Sequence, residues 1–355
     1  MRFQVKPCSQ TVGRSRSGTS ANRILFWSLL AMPGLLLPAV SVCGSPLPDH
    51  VDVALGDVSI NKLAFLVAED RHIYRRYGLD VHQFVTPSAA RVVAANGIEV
   101  PPANIGHDGE DAPLMIGGGA WLIAKVAEGR AGESHRVIIA TTENIVRDHI
   151  IARPGINSEQ DLRGKTLGAG LRNVPGYAAI VYLRRMGLDG QVKVTGEASL
   201  DALKAGRVDA IVANLFAVAK APALGFIDLV DISRYGLPEA GSGILADPEW
   251  LSRHRDIAIR FTAASIEATR RMKEDKPIVA AVLRKWFGIR DPGTVDTIFH
   301  LAQGIPDQPA PSVAGIQEAM RVYASPALAQ SRAEDFFDAT IVNQATRLEA
   351  GRSHS

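Results

Sequence analysis

Short apolar stretches alternate with amphipathic helical segments after residue 50, and glycine often stands where one gives way to the other. The clearest case is Gly78. Before it, "NKLAFLVAEDRHIYRRYG" (61–78) carries apolar side chains at helical spacing, and after it "LDVHQFV" (79–85) alternates apolar and polar residues as a half-buried strand does. Glycine readily takes the left-handed conformation that ends helices. Repeated steps of this kind predict an α/β fold.

The same pattern predicts further elements along the chain. Buried strands are expected near 51–56, 135–142, 149–155, 165–170, 191–196, 209–214 and 226–233. The segment "APLMIGGGAWLIAKVAEG" (112–129) predicts a turn followed by a helix. After Gly243 the pattern predicts long amphipathic helices up to about Leu348, and residues 349–355 are expected to form a disordered tail.

The first 43 residues differ from the rest. They contain five basic residues and no acidic one, followed by the apolar run Ile24–Val40, which is typical of a secretory signal peptide. Cys43 fits a lipidated cysteine of an exported lipoprotein, whereas Ala39-Val40-Ser41 fits ordinary cleavage. A third alternative is an uncleaved anchor, although Pro33 and Pro38 disfavour a permanent membrane helix. The expected location is the periplasm.

Charge and cysteine content narrow the class of protein. The chain has 39 Lys+Arg against 37 Asp+Glu, so no basic excess favours nucleic acid as a partner. Both cysteines, Cys8 and Cys43, lie within the first 43 residues. The exported chain is therefore expected to hold no disulfide and no cysteine-rich metal site. No cofactor is predicted.

Several segments in the expected order resemble one family. "HIYRRYGLDVHQF" (72–84), "LRGK" (162–165) and "AGRVDA" (205–210) are similar to elements of the periplasmic solute-binding proteins of nitrate, sulfonate and taurine type ABC importers. The resemblance covers roughly Val51 to Tyr323. The segment "NGIEVPPANIGHDGEDAPLMIGGGAW" (96–121) is longer and more acidic than the family's usual one.

The resemblance implies a type II periplasmic binding protein fold. Each of two lobes would be a mixed, mostly parallel sheet flanked by helices, and two hinge strands would join them. Residues 44–140 with 245–348 would form one lobe and 141–244 the other. The hinge would include Thr141, Thr142, Ser242 and Gly243. The implied partners are a small solute and an ABC permease in the inner membrane, and the chain is expected to be a monomer.

Candidate ligand-binding residues follow from the strand ends. Ligands of open α/β sheets bind at the carboxyl ends of strands, where helix N-termini offer free N–H groups that suit anions. Polar residues at such positions are Ser59, Asn61, Ser88, Asn173, Gly176, Tyr177 and Asn214. Each could instead be a helix cap, a turn residue or, for Tyr177, part of the core.

The ligand class stays open at this point. Helix N-termini favour a small organic anion such as a sulfonate or carboxylate. The loop from His107 to Asp111 is acidic and could indicate a neutral or cationic heterocycle. Its spacing matches no calcium-loop template, so no metal site is predicted there.

The leading functional hypothesis is a solute-binding component of an ABC importer, without enzymatic activity. A second hypothesis is an enzyme on the same fold, of the pyrimidine-precursor synthase or menaquinone-pathway lyase type. The synthase carries a cysteine cluster, and this chain has no cysteine after Cys43. A third hypothesis is a ligand-sensing receptor subunit, which the sequence does not distinguish from the first.

Overall fold

The computed structural model describes residues 47–130, 136–171, 173–307 and 309–353. The predicted signal peptide and Cys43 lie outside them.

Ten strands form two separate five-stranded sheets. The first sheet has the order β2-β1-β3-β10-β4, with β1 parallel to β2 and β3, and β10 antiparallel to β3 and β4. Its strands are β1 (Asp49–Leu55), β2 (Leu79–Val85), β3 (Leu114–Gly118), β4 (Val137–Thr141) and β10 (Ser242–Ala246).

The second sheet repeats this arrangement. Its order is β7-β6-β8-β5-β9, with β6 parallel to β7 and β8, and β5 antiparallel to β8 and β9. Its strands are β5 (His149–Ala152), β6 (Thr166–Gly168), β7 (Lys193–Thr195), β8 (Ala210–Ala213) and β9 (Ile227–Asp231). In each sheet, therefore, one antiparallel strand interrupts an otherwise parallel set.

Helices flank both sheets. Those of the first part of the chain are α1 (Leu63–Asp70), α2 (Ile73–Arg76), α3 (Pro87–Ala94), α4 (Gly119–Ala127), α5 (Val174–Arg185), α6 (Leu200–Lys204) and α7 (Leu215–Lys220). The C-terminal part adds α8 (Pro248–Arg253), α9 (Arg255–Glu274), α10 (Lys276–Phe287), α11 (Pro292–Ala302), α12 (Val313–Val322) and α13 (Ala339–Ser353). Much of the core of the first sheet consists of apolar side chains from α1, α9, α10 and α13.

The predicted α/β fold with two sheets is confirmed. The first sheet takes β10 from far along the chain, after the whole second sheet has been built. The chain leaves the first sheet after β4 and returns at β10, so these two neighbouring strands carry both connections. The exact bounds of the lobes stay a prediction.

Three local predictions were wrong. The turn predicted before α4 is the central strand β3, whose first four residues are buried. A short, wholly apolar run lacks the alternation that identifies a half-buried strand. The helix predicted over 61–78 is broken at His72, which has a φ of 52°. The break allows Tyr74 to stack on Phe261, with ring centroids 5.0 Å apart.

The tail is the third correction. Residues 349–353 were expected to be disordered, but they form the last turn of α13. The guanidinium of Arg352 lies 4.7 Å from the centroid of the Tyr77 ring. Glu349 forms an ion pair of 2.7 Å with Arg270. These long-range contacts anchor the final turn.

Candidate functional site

A cavity of about 410 Å³ lies between the two sheets. It is lined by segments that follow the carboxyl ends of β1, β2 and β3 in the first sheet and of β6 and β8 in the second. Ligands of open α/β sheets bind at these ends. Both lobes therefore contribute to one cavity of small-molecule size.

Three predicted residues of the first lobe line this cavity. Ser59 and Asn61 are buried in the segment after β1, and their side chains form a hydrogen bond. Ser88 lies at the start of α3, with its hydroxyl 3.1 Å from that of Thr86. The Thr86 hydroxyl in turn accepts a hydrogen bond from the Ala89 N–H group at 3.3 Å.

Two predicted residues of the second lobe line it as well. Asn173 caps α5, and its Oδ1 accepts a hydrogen bond of 3.2 Å from the Gly176 N–H group. Asn214 caps α7, and its Oδ1 accepts hydrogen bonds of 3.1 Å from the N–H groups of Phe216 and Ala217. Both residues thus fill the cap role weighed in the sequence analysis while also facing the cavity.

Gly176 and Tyr177 do not line the cavity. The Gly176 N–H group, which was expected to be free for a ligand, is bound by Asn173. The Tyr177 ring is fully buried in the core, and its hydroxyl donates to the Pro238 carbonyl oxygen at 2.5 Å. Steric exclusion explains the glycine, because a Cβ on Gly176 would lie 1.6 Å from the Gly170 carbonyl oxygen.

The four predicted hinge residues lie together beside the cavity. Thr141 and Gly243 are paired across β4 and β10. The Thr142 N–H and hydroxyl groups both donate to the Ser242 carbonyl oxygen, each at 2.7 Å. This contact ties together the two segments that connect the lobes. That they act as a hinge stays a prediction.

Sequence reasoning missed the basic residue beneath this junction. The Lys62 ammonium group donates to the Thr142 hydroxyl at 2.8 Å and to the Ser242 hydroxyl at 2.7 Å. It lies 4.0 Å from the Asp57 carboxylate, and its side chain is only 2% exposed. A lysine next to a strongly apolar helix start was the available signal, since such a position is buried and a buried charge needs partners.

Sequence reasoning also missed the carboxylates of the cavity. Among the described residues, five acids line it: Asp57, Asp108, Glu110, Glu143 and Asp148. Asp108 and Glu110 belong to the acidic loop, whose role was left open. Glu143 and Asp148, which are 6% and 8% exposed, lie in the segment that leaves the first sheet.

Burial is the largest cause of the pKa shifts of Glu143 and Asp148. It raises the pKa of Asp148 well above the ordinary aspartate value, and the negative charges of Glu143 and Asp57 raise it further. It also raises the pKa of Glu143, while the positive charges of Lys62 and Arg147 and a hydrogen bond from Asn61 lower it. The cavity is consequently a site where carboxyl groups hold protons more readily than in water.

The fold is that of the periplasmic binding proteins, as a comparison with solved structures shows. The chain resembles the alkanesulfonate-binding protein SsuA of Xanthomonas axonopodis pv. citri, solved with bound MOPS, at a TM-score of 0.58 and 14% identity, over 85% of this chain and 99% of that one. A protein from Bordetella bronchiseptica RB50 matches at a TM-score of 0.64 and 16% identity, over 85% and 98% of the two chains.

An enzyme shares the same fold. The desulfurization enzyme DSZB matches at a TM-score of 0.54 and 14% identity, over 84% of this chain and 99% of that one. No protein-family model matches the chain, and neither does any curated protein. The resemblance drawn from the sequence is thus confirmed at the level of the fold.

Proposed function

We propose that the chain is the extracytoplasmic solute-binding component of an ABC importer. One observation supports this above the others: the 410 Å³ cavity is lined from both lobes, beside the two segments that connect them. A solute there contacts both lobes and shifts the protein toward a closed state. The permease recognises that state. Binding and release require no chemical step.

Exposed apolar surface at the cavity is consistent with closure of the two lobes. Val92 lines the cavity and is 54% exposed, so apolar surface of the site still faces water. Bringing the lobes together would remove such surface from water and stabilise the closed form.

Export completes the proposal. The signal peptide lies within residues 1–43, and Cys43 would be the first residue of the exported chain if it carries a lipid. None of the described helices between residues 47 and 353 has the length and apolar character of a membrane span. Cell fractionation tests the location. Cys43→Ser should move the protein from the membrane to the soluble periplasmic fraction if the cysteine is lipidated.

Capture from a solute mixture tests the function. The purified protein would be incubated with a small-molecule extract, washed and denatured, and the released molecules identified by mass spectrometry. We expect one solute to be enriched and to be recovered chemically unchanged. A ligand at about 100 times its Kd should also add about 2.7 kcal/mol to the free energy of unfolding. Absence of any enriched solute would contradict the proposal.

An enzyme is the second candidate, because Glu143 and Asp148 share the cavity and both have raised pKa values. Carboxyl groups in this condition are typical of acid–base sites. The DSZB structure shows that the fold accommodates catalysis. Recovery of a converted product in the capture experiment would favour this alternative over transport.

A further inference from the structure

We infer that the cavity takes an organic cation that carries N–H donors, such as a protonated amine or an amidine. The inference rests on the proposed function, since it assigns the solute class of that same cavity. It departs from the organic anion favoured by the sequence.

The first step concerns the helix N-termini, which carried the expectation of an anion. The side chains of Thr86, Asn173 and Asn214 bind one first-turn N–H group at α3, one at α5 and two at α7. A proline in the first turn of α3 and of α5 removes one further donor from each helix. The number of N–H groups that could bind an anion at these helix starts is therefore reduced.

The second step is the balance of charge. Five carboxyl groups line the cavity, against the single guanidinium of Arg147 among the described lining residues. Its Nη1 lies 2.8 Å from where a Cβ on Gly304 would stand, and its buried Nε has no hydrogen-bond partner among the described residues, so it can give one hydrogen bond to an acceptor on the ligand. The Lys62 ammonium group, which does not itself line the cavity, lies 4.0 Å from the Asp57 carboxylate and offsets part of the negative charge, so that five acids face two bases. A cleft with this excess of one sign attracts the opposite charge.

The third step is an unsatisfied acceptor. Asp148 is 8% exposed and faces the cavity. Its carboxyl group bonds to its own backbone, and no hydrogen bond or ion pair joins it to another described residue. Its remaining acceptor positions have no donor among the described residues, and an unpaired buried acceptor costs free energy. An N–H donor on a cationic ligand would satisfy such a position and would stabilise the ionised form of Asp148, which burial disfavours.

The fourth step concerns the body of the ligand. Apolar side chains form much of the remaining wall, among them Val58, Val93, Met115, Trp121 and Leu215. A cavity of about 410 Å³ with such walls exceeds the needs of a bare ion. An organic cation with an apolar part matches both the walls and the carboxylates.

Three organic probes of similar size separate the charge classes: benzylammonium is a cation, benzyl alcohol is neutral and benzenesulfonate is an anion. Calcium chloride tests binding of a metal ion. Their affinities for the full-length protein would be measured by calorimetry at constant ionic strength. We expect benzylammonium to bind at least tenfold more tightly than the other three. Asp148→Asn should weaken it about tenfold, whereas Asp80→Asn, an exposed acid of β2 outside the cavity, should leave it unchanged. Circular dichroism melts would verify that both variants fold.

Each other outcome is decisive. Tighter binding of benzenesulfonate or benzyl alcohol would overturn the inference and leave the proposed function standing. Tighter binding of calcium would assign the carboxylates to a metal ion and also overturn it. If no probe binds, and neither the cationic nor the anionic fraction of a small-molecule extract raises the melting temperature, both the inference and the proposed function are contradicted. If Asp148→Asn folds poorly, Asp57→Asn, at a half-buried position on the same cavity, serves in its place.

Discussion

The buried ammonium group of Lys62 joins three segments that are distant in sequence. It donates to hydroxyl groups in the two connections between the lobes, and its charge lowers the raised pKa of Glu143. A buried charge is stabilising only while its partners remain. The acids around Lys62 depend on its positive charge in the same way.

Replacing Lys62 should therefore be costly. We expect Lys62→Met to lower the free energy of unfolding by about 3 kcal/mol, because it leaves buried acids without their counter-charge. Chemical denaturation measures the effect. Lys204→Met, at an exposed position on α6, is the matched control and should change stability little. A loss no larger than the control's would show that Lys62 does not balance the acids, and so would failure of Glu143→Gln to restore part of the loss.

Glu239 is a second buried ionisable residue, and unlike that of Lys62 its side chain lacks hydrogen-bond partners among the described residues. It is 0% exposed, and neither of its carboxyl oxygens has a hydrogen-bond partner among the described residues. Burial raises its pKa well above the ordinary glutamate value, and the charges of Glu143 and Asp148 raise it further. The folded state therefore binds this proton more tightly than the unfolded state does.

The sign of the pH dependence follows from that difference. Stability from Glu239 is fully present below the ordinary glutamate pKa and is lost as pH rises toward the higher folded-state pKa. We expect Glu239→Gln to raise the free energy of unfolding by roughly 1 to 3 kcal/mol at pH 8 and to change it little at pH 4. Denaturation at both pH values measures this. Glu334→Gln, at an exposed position, should be neutral at both. An equal effect of Glu239→Gln at the two pH values would contradict the expectation.

At the scale of elements, β10 is the strand on which the architecture depends. It completes the first sheet between β3 and β4, although it follows the second sheet in sequence. Gly243 allows this close pairing, because a Cβ there would lie 2.2 Å from the Ala140 carbonyl oxygen and 2.5 Å from the Thr141 Cα. Both contacts are with backbone atoms, which cannot rotate away.

A single methyl group should therefore disturb this junction. We expect Gly243→Ala to lower the free energy of unfolding by roughly 1 to 3 kcal/mol, since the paired strands must separate to admit it. Gly196→Ala is the control, because its added Cβ would meet only Leu171 at an ordinary 3.9 Å. Thermal and chemical denaturation compare the two variants. Equal stabilities would show that the strands adjust without cost.

At the scale of the whole molecule, the two lobes meet closely where β3 ends. A Cβ on Gly118 would lie 2.7 Å from Cγ2 of Val174, at the start of α5 across the cavity. The absent side chain of Gly118 thus permits the approach of the lobes that the proposed closure requires.

Filling this gap should hinder closure more than folding. We expect Gly118→Ala to weaken solute binding several-fold and to reduce the decrease in radius of gyration that ligand causes in X-ray scattering. The clash is with the end of a side chain, so the free energy of unfolding should change less than for Gly243→Ala. Gly196→Ala again provides the control. Unchanged affinity with unchanged compaction would remove Gly118 from the closure mechanism.

Much of this molecule follows from local sequence patterns. Local patterns predicted eight of the ten strands, and glycine correctly marked the end of α2 at Gly78. The segment of β10 was expected only as a hinge strand that the family resemblance implied. The order of motifs indicated the two-lobed fold. These features depend on neighbours within a few residues, since hydrophobic period and backbone conformation are local properties. The buried strand β3 escaped because its uniform apolar run has no period.

The character of the cavity depended on tertiary structure alone. Asp57 lies in the loop after β1, whereas Glu143 and Asp148 lie in the connection between β4 and β5, and nothing in their local patterns shows that they face one space. Burial, which sets their pKa values and the need of Lys62 for partners, depends on what packs above them from distant parts of the chain. Sequence alone therefore determined the fold class and several cavity residues, whereas the assembled lobes decided the charge of the site, because electrostatic interaction depends on distance and burial in space.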